Sequence, residues 1–329
     1  MSKKNKPVRV KLIANPGAGD PAEAASRIKQ VVLNLMDEGL EVSVALAHPK
    51  DKAITIARKA ARKGYDVVIA MGGDGTIGAV IRGLAGSKTP LGIIAAGTEN
   101  DIARSLGIPE DLKEACALIA SGHTRALDLG VVSTKKTKDF YFFNITAVGL
   151  TATIYPFIKE VPEGKFSGLK DAVATLFKFD SKPRVFLTLD DESKIEVETM
   201  LVTVVNTPIT GLRNLVAPDA SMEDGLLDVV VYPGFNKAEV LAYFAKTANE
   251  HPVPDGTIQR YQARKIKIKT SPKLDVAAEG IILGKGTARI KVLPAALRVV
   301  APEPGQGSEK PPEKIAAERL SEPVSQLSN

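Results

Sequence analysis

Three short stretches of this 329-residue chain combine glycine with polar side chains at spacings suited to an anionic ligand. The first is Asn15-Pro16-Gly17-Ala18-Gly19-Asp20, the second Gly72-Gly73-Asp74-Gly75-Thr76-Ile77-Gly78, and the third Gly97-Thr98-Glu99-Asn100-Asp101. Glycine lets a backbone turn with positive φ and approach a ligand closely. When such a loop opens a helix, the first N–H groups of that helix face anionic oxygens. Asp74 in the second stretch would repel a phosphate unless a cation lay between them, which a Mg²⁺-bound nucleotide provides. The first two stretches also match a dinucleotide fingerprint superficially, through Gly17, Gly19 and Ala22 and through Gly73, Gly75 and Gly78. For the first, the acid about twenty residues on is Glu41, which begins a strand instead of ending one and so argues against a standard NAD site. Taken one at a time, the loops are equally well read as plain strand-to-helix turns, and Asn100 or Asp101 as a helix cap.

The elements around them decide how these loops are placed. Residues 8–14, 41–47, 66–71 and 91–95 read as strands; 21–38, 53–63, 76–85, 101–106 and 112–121 read as helices. That alternation implies a mostly parallel sheet with helices on both faces, and three polar loops at successive strand ends would then line one crevice. From residue 139 strands dominate: 140–146, 184–189, 195–206, 227–232, 261–270, 274–278, 289–292 and 297–300, interrupted by helices near 167–179 and 237–248. The expected fold class is α/β: an N-terminal doubly wound nucleotide-binding domain (8–130) followed by a C-terminal β-rich sandwich domain (131–301). The boundary falls near 125–138. Whether the last strand returns to the first domain is left open.

Composition narrows the class. Apolar residues make up 44% and charged residues 25%, which excludes a disordered chain, a collagen and a coiled coil. The single cysteine, Cys116, excludes a disulfide framework and a Cys-rich zinc site and suits a reducing compartment. His48, His123 and His251 show no metal spacing. No apolar run is long enough to span a bilayer. The net charge of +6 divides into a basic end at residues 1–7 (+3), a body of +5 and a Pro- and Glu-rich tail at 302–329 (−2), read as disordered. With no Trp and no basic stripe interleaved with aromatics, nucleic acid is not indicated.

In ordered combination these motifs resemble the soluble diacylglycerol kinase and lipid kinase family, which includes the sphingosine and ceramide kinases. The resemblance covers nearly all of residues 8–301. Besides the three loops it rests on Ala103-Arg104-Ser105-Leu106, Leu127-Asp128-Leu129-Gly130, Phe143-Asn144 with Gly149, Asn206, Ala217-Pro218-Asp219-Ala220 and Asp224-Gly225-Leu226-Leu227-Asp228. It implies a two-domain enzyme with its site in the cleft between domains. ATP would lie on Asn15, Pro16, Gly17, Ala18 and Gly19 and on Gly73, Asp74, Gly75, Thr76, Ile77, Gly78 and Ala79, with Thr98 near it. Asp74 and Asp128 would act through Mg²⁺. A second, structural Mg²⁺ would be held by the Asp224 carboxylate and the carbonyls of Ser221 and Leu226. By spacing alone Asp224 reads better as an Asp-Gly hairpin turn and Asp128 as a strand-end cap; the family resemblance reverses that.

Phosphoryl transfer to a lipid hydroxyl also needs a carboxylate to accept the proton. In the similar enzymes this is the Glu of an Asp-Gly-Glu turn, matched here by Ala277-Ala278-Glu279, so Glu279 is the candidate base. The chain departs from the family pattern at Ala277 and Ala278, at Gly78 and Ala79 (usually Asn-Glu), at Ala18 (usually Ser), at His48 (often a nucleotide-contacting Thr) and at Glu99, an added acid. A lysine-flanked apolar stripe beside a nucleotide cleft points to contact with the inner membrane surface, the single cysteine and the missing membrane-spanning run make that contact peripheral and the enzyme cytoplasmic, and a homodimer is compatible with this reading. For that contact the sequence offers residues 159–184, where Phe166, Leu169, Val173, Leu176, Phe177 and Phe179 form a lysine-flanked stripe; the same stripe reads equally as a core-packed helix. Two further readings stand beside a lipid kinase: an NAD kinase, which shares the Gly-Gly-Asp-Gly-Thr loop, and a lipid- or nucleotide-binding protein that has lost catalysis.

Overall fold

In the computed structural model, residues 7–19, 22–48, 52–150, 152–153, 183–210, 214–247 and 258–303 are described. The first half follows the alternation read from sequence. Strands β1 (Arg9–Ala14), β2 (Glu41–Leu46), β3 (Val67–Gly72) and β4 (Leu91–Ala95) are parallel, in the order β2-β1-β3-β4. All six residues of β3 are buried, as a strand covered on both faces requires. Helices α1 (Ala24–Asp37) and α5 (Leu112–Ser121) cover one face through Val31, Leu35, Cys116 and Ile119. The other face carries α2 (Lys52–Arg62), α3 (Asp74–Leu84) and α4 (Asp101–Ser105). Helices α2 and α3 approach so closely that a Cβ on Gly83 would lie 2.6 Å from the Ile54 carbonyl oxygen. Cys116 is buried, and burial pushes its thiol up to about 11, so it is no nucleophile at neutral pH.

The second half is less separate than the sequence suggests. Strand β5 (Thr124–Ser133) crosses the expected boundary at residue 130 without interruption. The stretches 289–292 and 297–300, read as two strands, are one strand of 13 residues, β18 (Ala288–Val300). It pairs antiparallel with β5 and parallel with β4, through Val299 and Leu91, so the chain end does return to the first domain. β18 bends at an irregularity between Leu293 and Leu297, where Ala295 has φ 50°. Beyond the bend Leu297 and Val299 belong to the core under α3; before it Ala288, Ile290 and Val292 belong to the sandwich core.

The sheet continues from β18 to β15 (Lys265–Ser271), β8 (Arg184–Leu189) and β9 (Ser193–Glu198), with β6 (Phe140–Phe142) beyond β5, giving ten strands. Packed on this half is a second sheet, in the order β14 (Gln259–Ala263), β13 (Leu227–Val231), β10 (Leu201–Val205), β7 (Ile145–Gly149), β16 (Asp275–Ala278), β17 (Ile281–Lys285). Phe142, Val148, Leu187, Val202, Val229, Ile268 and Val276 fill the space between. The stretch 195–206, read as one strand, turns a corner at Thr199 and Met200 from β9 to β10, because the Thr199 hydroxyl bonds the carbonyls of Leu201 and Tyr232. A small ribbon, β11 (Ile209–Thr210) with β12 (Asn214–Leu215), and helix α6 (Lys237–Thr247) complete the described elements. Asn236 and Glu239 cap α6 reciprocally. The expected helix at 167–179, all but the end of the stripe at 159–184, residues 1–6 and the tail from 304 lie outside the described residues. Among the described residues no helix is long and apolar enough to cross a membrane.

Candidate active site

The strand order places β1 beside β3 with β2 and β4 turned away from each other, the switch point where doubly wound sheets bind ligands. The three glycine loops leave the ends of β1, β3 and β4 and touch there. The Asn15 N–H bonds the Met71 carbonyl, and its side chain donates to the Thr76 hydroxyl at 3.1 Å and accepts from Gly17 N–H. The Ala96 N–H bonds the Gly72 carbonyl. A Cβ on Gly97 would lie 2.4 Å from the Gly73 Cα, so these two glycines are imposed by loop-to-loop contact. Gly97→Ala is expected to push the loops apart and cost about 1–3 kcal/mol, read from urea unfolding.

Helix α3 begins at Asp74 with Gly73 as its N-cap, two residues earlier than read from sequence. Asp74 therefore stands in the first helical turn, not in mid-loop. Its carboxylate accepts the N–H groups of Asp101 at 3.1 Å and Ile102 at 2.9 Å, and so caps α4 from a different loop. Asn100, at the N-cap position of that helix, does not cap it with its own side chain. Asn100 sits at φ 54° and uses its amide to bracket Gly97, accepting its N–H and donating to its carbonyl. The result brings Asp74, Glu99 and Asp101 together, with one carboxylate oxygen of each within 4.8 Å of the others. An all-oxygen carboxylate set is the chemistry that Mg²⁺ or Mn²⁺ takes. Asp101 and Glu99 were singled out in sequence only as a cap and an added acid; only the fold shows them beside Asp74.

Asp128 is not in that group. It lies within β5, not at a strand end, and is 2% exposed. Its carboxylate accepts Gly225 N–H at 2.7 Å and Ala295 N–H at 2.8 Å, while its own N–H bonds the Met222 carbonyl. It thereby ties the strand to the loop at 221–226 and to the bend in β18. In that loop Asp224 is exposed and accepts Leu226 N–H at 2.9 Å, and Ser221 and Leu226 are partly exposed. Burial pushes the Asp228 carboxyl up to about 6, with the charges of Asp224 and Asp219 adding to it. A cation on this loop would relieve that crowding of carboxylates.

Glu279 and Gly280, at φ 50° and 73°, form the two-residue turn between β16 and β17. Left-handed geometry at a Glu is unfavourable and persists only where the surroundings hold it. Here its Oε1 accepts three backbone N–H groups, from Phe143 at 2.9 Å, Asn144 at 2.7 Å and Ile145 at 3.4 Å. Oε2 makes no hydrogen bond among the described residues. Burial pushes its carboxyl up, countered in part by those three N–H groups and by the charge of Arg82. Asn206, 1% exposed, donates to the carbonyls of Asp128 and Phe143 and so joins the Asp128 strand to the loop that holds Glu279.

Among the remaining expected ligand contacts, Pro16 and Ala18 are partly exposed and Gly17, Gly19 and Thr98 exposed, all open to a ligand. Gly75 is partly exposed and Thr76 buried at the start of α3. Ile77 and Ala79 are fully buried in the core under α3, so their side chains face away from the loops. Gly78 is not forced by packing: a Cβ there would meet only Arg82 Nη1, at 3.6 Å. Ala277 packs in a small cluster with Ala147 and Ala152, and Ala278 in the sandwich core. A cavity of about 300 Å³ lies to one side of the loops, bordered by Asn100, Arg104, Ile108 and Glu114, and belongs to the α4–α5 junction.

Residues 9–132 match the family model described as the diacylglycerol kinase catalytic domain. Residues 158–301 match the YegS C-terminal NAD kinase beta sandwich-like domain. The diacylglycerol kinase of Bacillus subtilis (strain 168) is 31% identical over 282 residues, 83% of this chain and 89% of the relative. The chain belongs to the diacylglycerol kinase family. It is accordingly an enzyme of the kinase class. A crystal structure of a diacylglycerol kinase from Bacillus anthracis str. Sterne superposes with a TM-score of 0.70 at 24% identity, covering 91% of this chain and 99% of that one. The yeast NADH kinase complexed with NADH is a more distant likeness, with a TM-score of 0.51 at 13% identity, over 91% of this chain and 84% of that one. Both structural likenesses speak to the fold.

Proposed function

We propose that this member of the family moves the γ-phosphoryl group of ATP, in a Mg²⁺-dependent reaction, to the hydroxyl of a neutral lipid such as diacylglycerol. The observation that carries the reading is the pairing of two arrangements. Glycine loops with a carboxylate set meet at the sheet's switch point, and a glutamate in the β16–β17 turn is pinned through a single oxygen. Asp74, Glu99 and Asp101 are the residues that would hold an active-site Mg²⁺, and Asp224 with the Ser221 and Leu226 carbonyls a second one. When bound, the metal screens phosphate charge during transfer. The backbone of the first loop and the start of α3 supply N–H groups for phosphate oxygens. Glu279 takes the proton from the lipid hydroxyl as that oxygen forms its bond to phosphorus, and ADP leaves with the electrons of the broken bond. Three N–H groups on Oε1 keep the carboxylate oriented, so Oε2 is the atom that accepts the proton. Partial burial holds its pKa above the ordinary carboxylate range, nearer to that of an efficient base.

The test is incubation of the protein with labelled ATP, Mg²⁺ and either diacylglycerol in mixed micelles or NAD. Label in a chloroform-soluble product is the expected result. Label on NAD would replace this reading with an NAD kinase. Absence of transfer alongside measurable ATP binding would make the chain a binding protein.

A further inference from the structure

The outward face of the long sheet carries an arrangement that folding alone disfavours. Strand β15 reads Lys265-Ile266-Lys267-Ile268-Lys269, and β18 reads Arg289-Ile290-Lys291 beside it. The isoleucines fill the sandwich core, so all five cations share the opposite face. The register sets Lys265 directly opposite Lys291 and Lys267 directly opposite Arg289. Like charges directly opposite on neighbouring strands are destabilising. Lysines on an edge strand commonly guard against edge-to-edge pairing. That explanation fails here: β15 lies between β18 and β8, and at Arg289–Lys291 β18 lies between β15 and β5. The true edge, β9, is guarded by its own Lys194, Glu196 and Glu198.

Neutralisation within the chain is sparse. Lys265 reaches Asp191 at 3.2 Å in an exposed pair. Among the described residues Lys267, Lys269, Arg289 and Lys291 form no ion pair. Four of the five cations are exposed and Lys267 is partly so. Phe186 stands opposite Lys269 on the same face, 36% exposed.

We propose that this face of β15 and β18 is a docking surface for an anionic lipid bilayer. Each cation near such a surface adds to the attraction, and a broad sheet presents them in one plane. An exposed aromatic among them suits the headgroup boundary. Single-stranded nucleic acid would instead ask for a groove with several stacking aromatics, and the face has one. The choice of lipid as partner rests on the lipid-kinase reading. The surface is distinct from the stretch 159–184 that the sequence suggested for the same contact.

Co-sedimentation of the full chain with vesicles of phosphatidylcholine, with and without phosphatidylglycerol, tests it. Binding is expected only with phosphatidylglycerol and is expected to weaken as salt rises. The combined variant Lys267→Gln, Lys269→Gln, Arg289→Gln, Lys291→Gln is expected to lose about a thousandfold in vesicle affinity and to melt no lower than the parent, because cross-strand repulsion is removed. Should that variant fail to fold, Lys267→Gln with Lys291→Gln removes one member of each like-charged pair, with an expected loss of about thirtyfold. Unchanged binding in the folded variant, equal binding of the parent to both vesicles, or tighter binding to oligonucleotides than to vesicles through these residues would overturn the proposal. Phosphorylation of a dispersed short-chain diacylglycerol is read alongside and is expected to be unchanged in the variant. Its absence in the parent, with vesicle binding intact, would count against the catalytic reading alone.

Discussion

Replacing Glu279 by glutamine is expected to lower kcat by about 10²–10⁴-fold while leaving the fold intact. Glutamine keeps an oxygen where Oε1 now accepts the N–H groups of Phe143, Asn144 and Ile145, and it meets the same left-handed turn. What it removes is the ability to take a proton. The pH dependence follows from the raised pKa. In the parent, transfer rises with pH as the carboxyl ionises above the ordinary carboxylate range; in the variant that limb disappears. Stability moves the other way. A carboxyl whose folded pKa is raised binds more protons folded than unfolded between the ordinary value of 4.5 and the raised one. Its contribution to stability is therefore largest in acid and is lost as pH rises through the folded value. Glu279→Gln is expected to be at least as stable as the parent near neutral pH, measured by urea unfolding. An inactive variant that was also strongly destabilised would return Glu279 to a structural role.

The second large effect is on stability. Asp128→Ala is expected to cost about 3–5 kcal/mol, measured as a fall in the urea midpoint. Two backbone N–H groups, of Gly225 and Ala295, have the Asp128 carboxylate as their acceptor, and the site is buried. Alanine leaves both without a partner. The bend in β18 and the loop at 221–226 would loosen together, because one side chain fixes both. Asp128→Asn keeps one acceptor oxygen and is expected to cost about half as much. If both variants unfolded like the parent and lost only activity, Asp128 would belong with Asp74 at the reacting phosphate after all.

The glycine loops were legible before any fold was known, since a strand, a turn residue and a helix start are local signals. Their convergence followed from the alternation of elements. Glu279 was singled out by the family resemblance, through a late turn, and that turn is the β16–β17 hairpin. Less was legible wherever a long-range pairing decides. The capping of α4 by Asp74 joins residues 27 and 28 positions apart. The Asp128 contact with Ala295 spans 167 positions. The three N–H groups that receive Glu279 come from a loop about 135 residues earlier.

By itself, then, the sequence determined the parallel first half and the loops at its strand ends, because periodicity and turn chemistry act over a few residues; Asp128, Asp224 and Glu279 were named by the family resemblance. The tertiary structure decided which acids meet. Asp101 and Glu99 join Asp74, whereas Asp128 serves a buried joint between strand and loop. It also made one ten-stranded sheet of what read as two domains, because β18 inserts beside β4 and bends at Ala295 to serve both cores. The Lys and Arg residues of β15 and β18 look like ordinary alternation along each strand. Only the register that sets Lys265 against Lys291 and Lys267 against Arg289 turns them into a surface whose repulsion calls for an anionic partner.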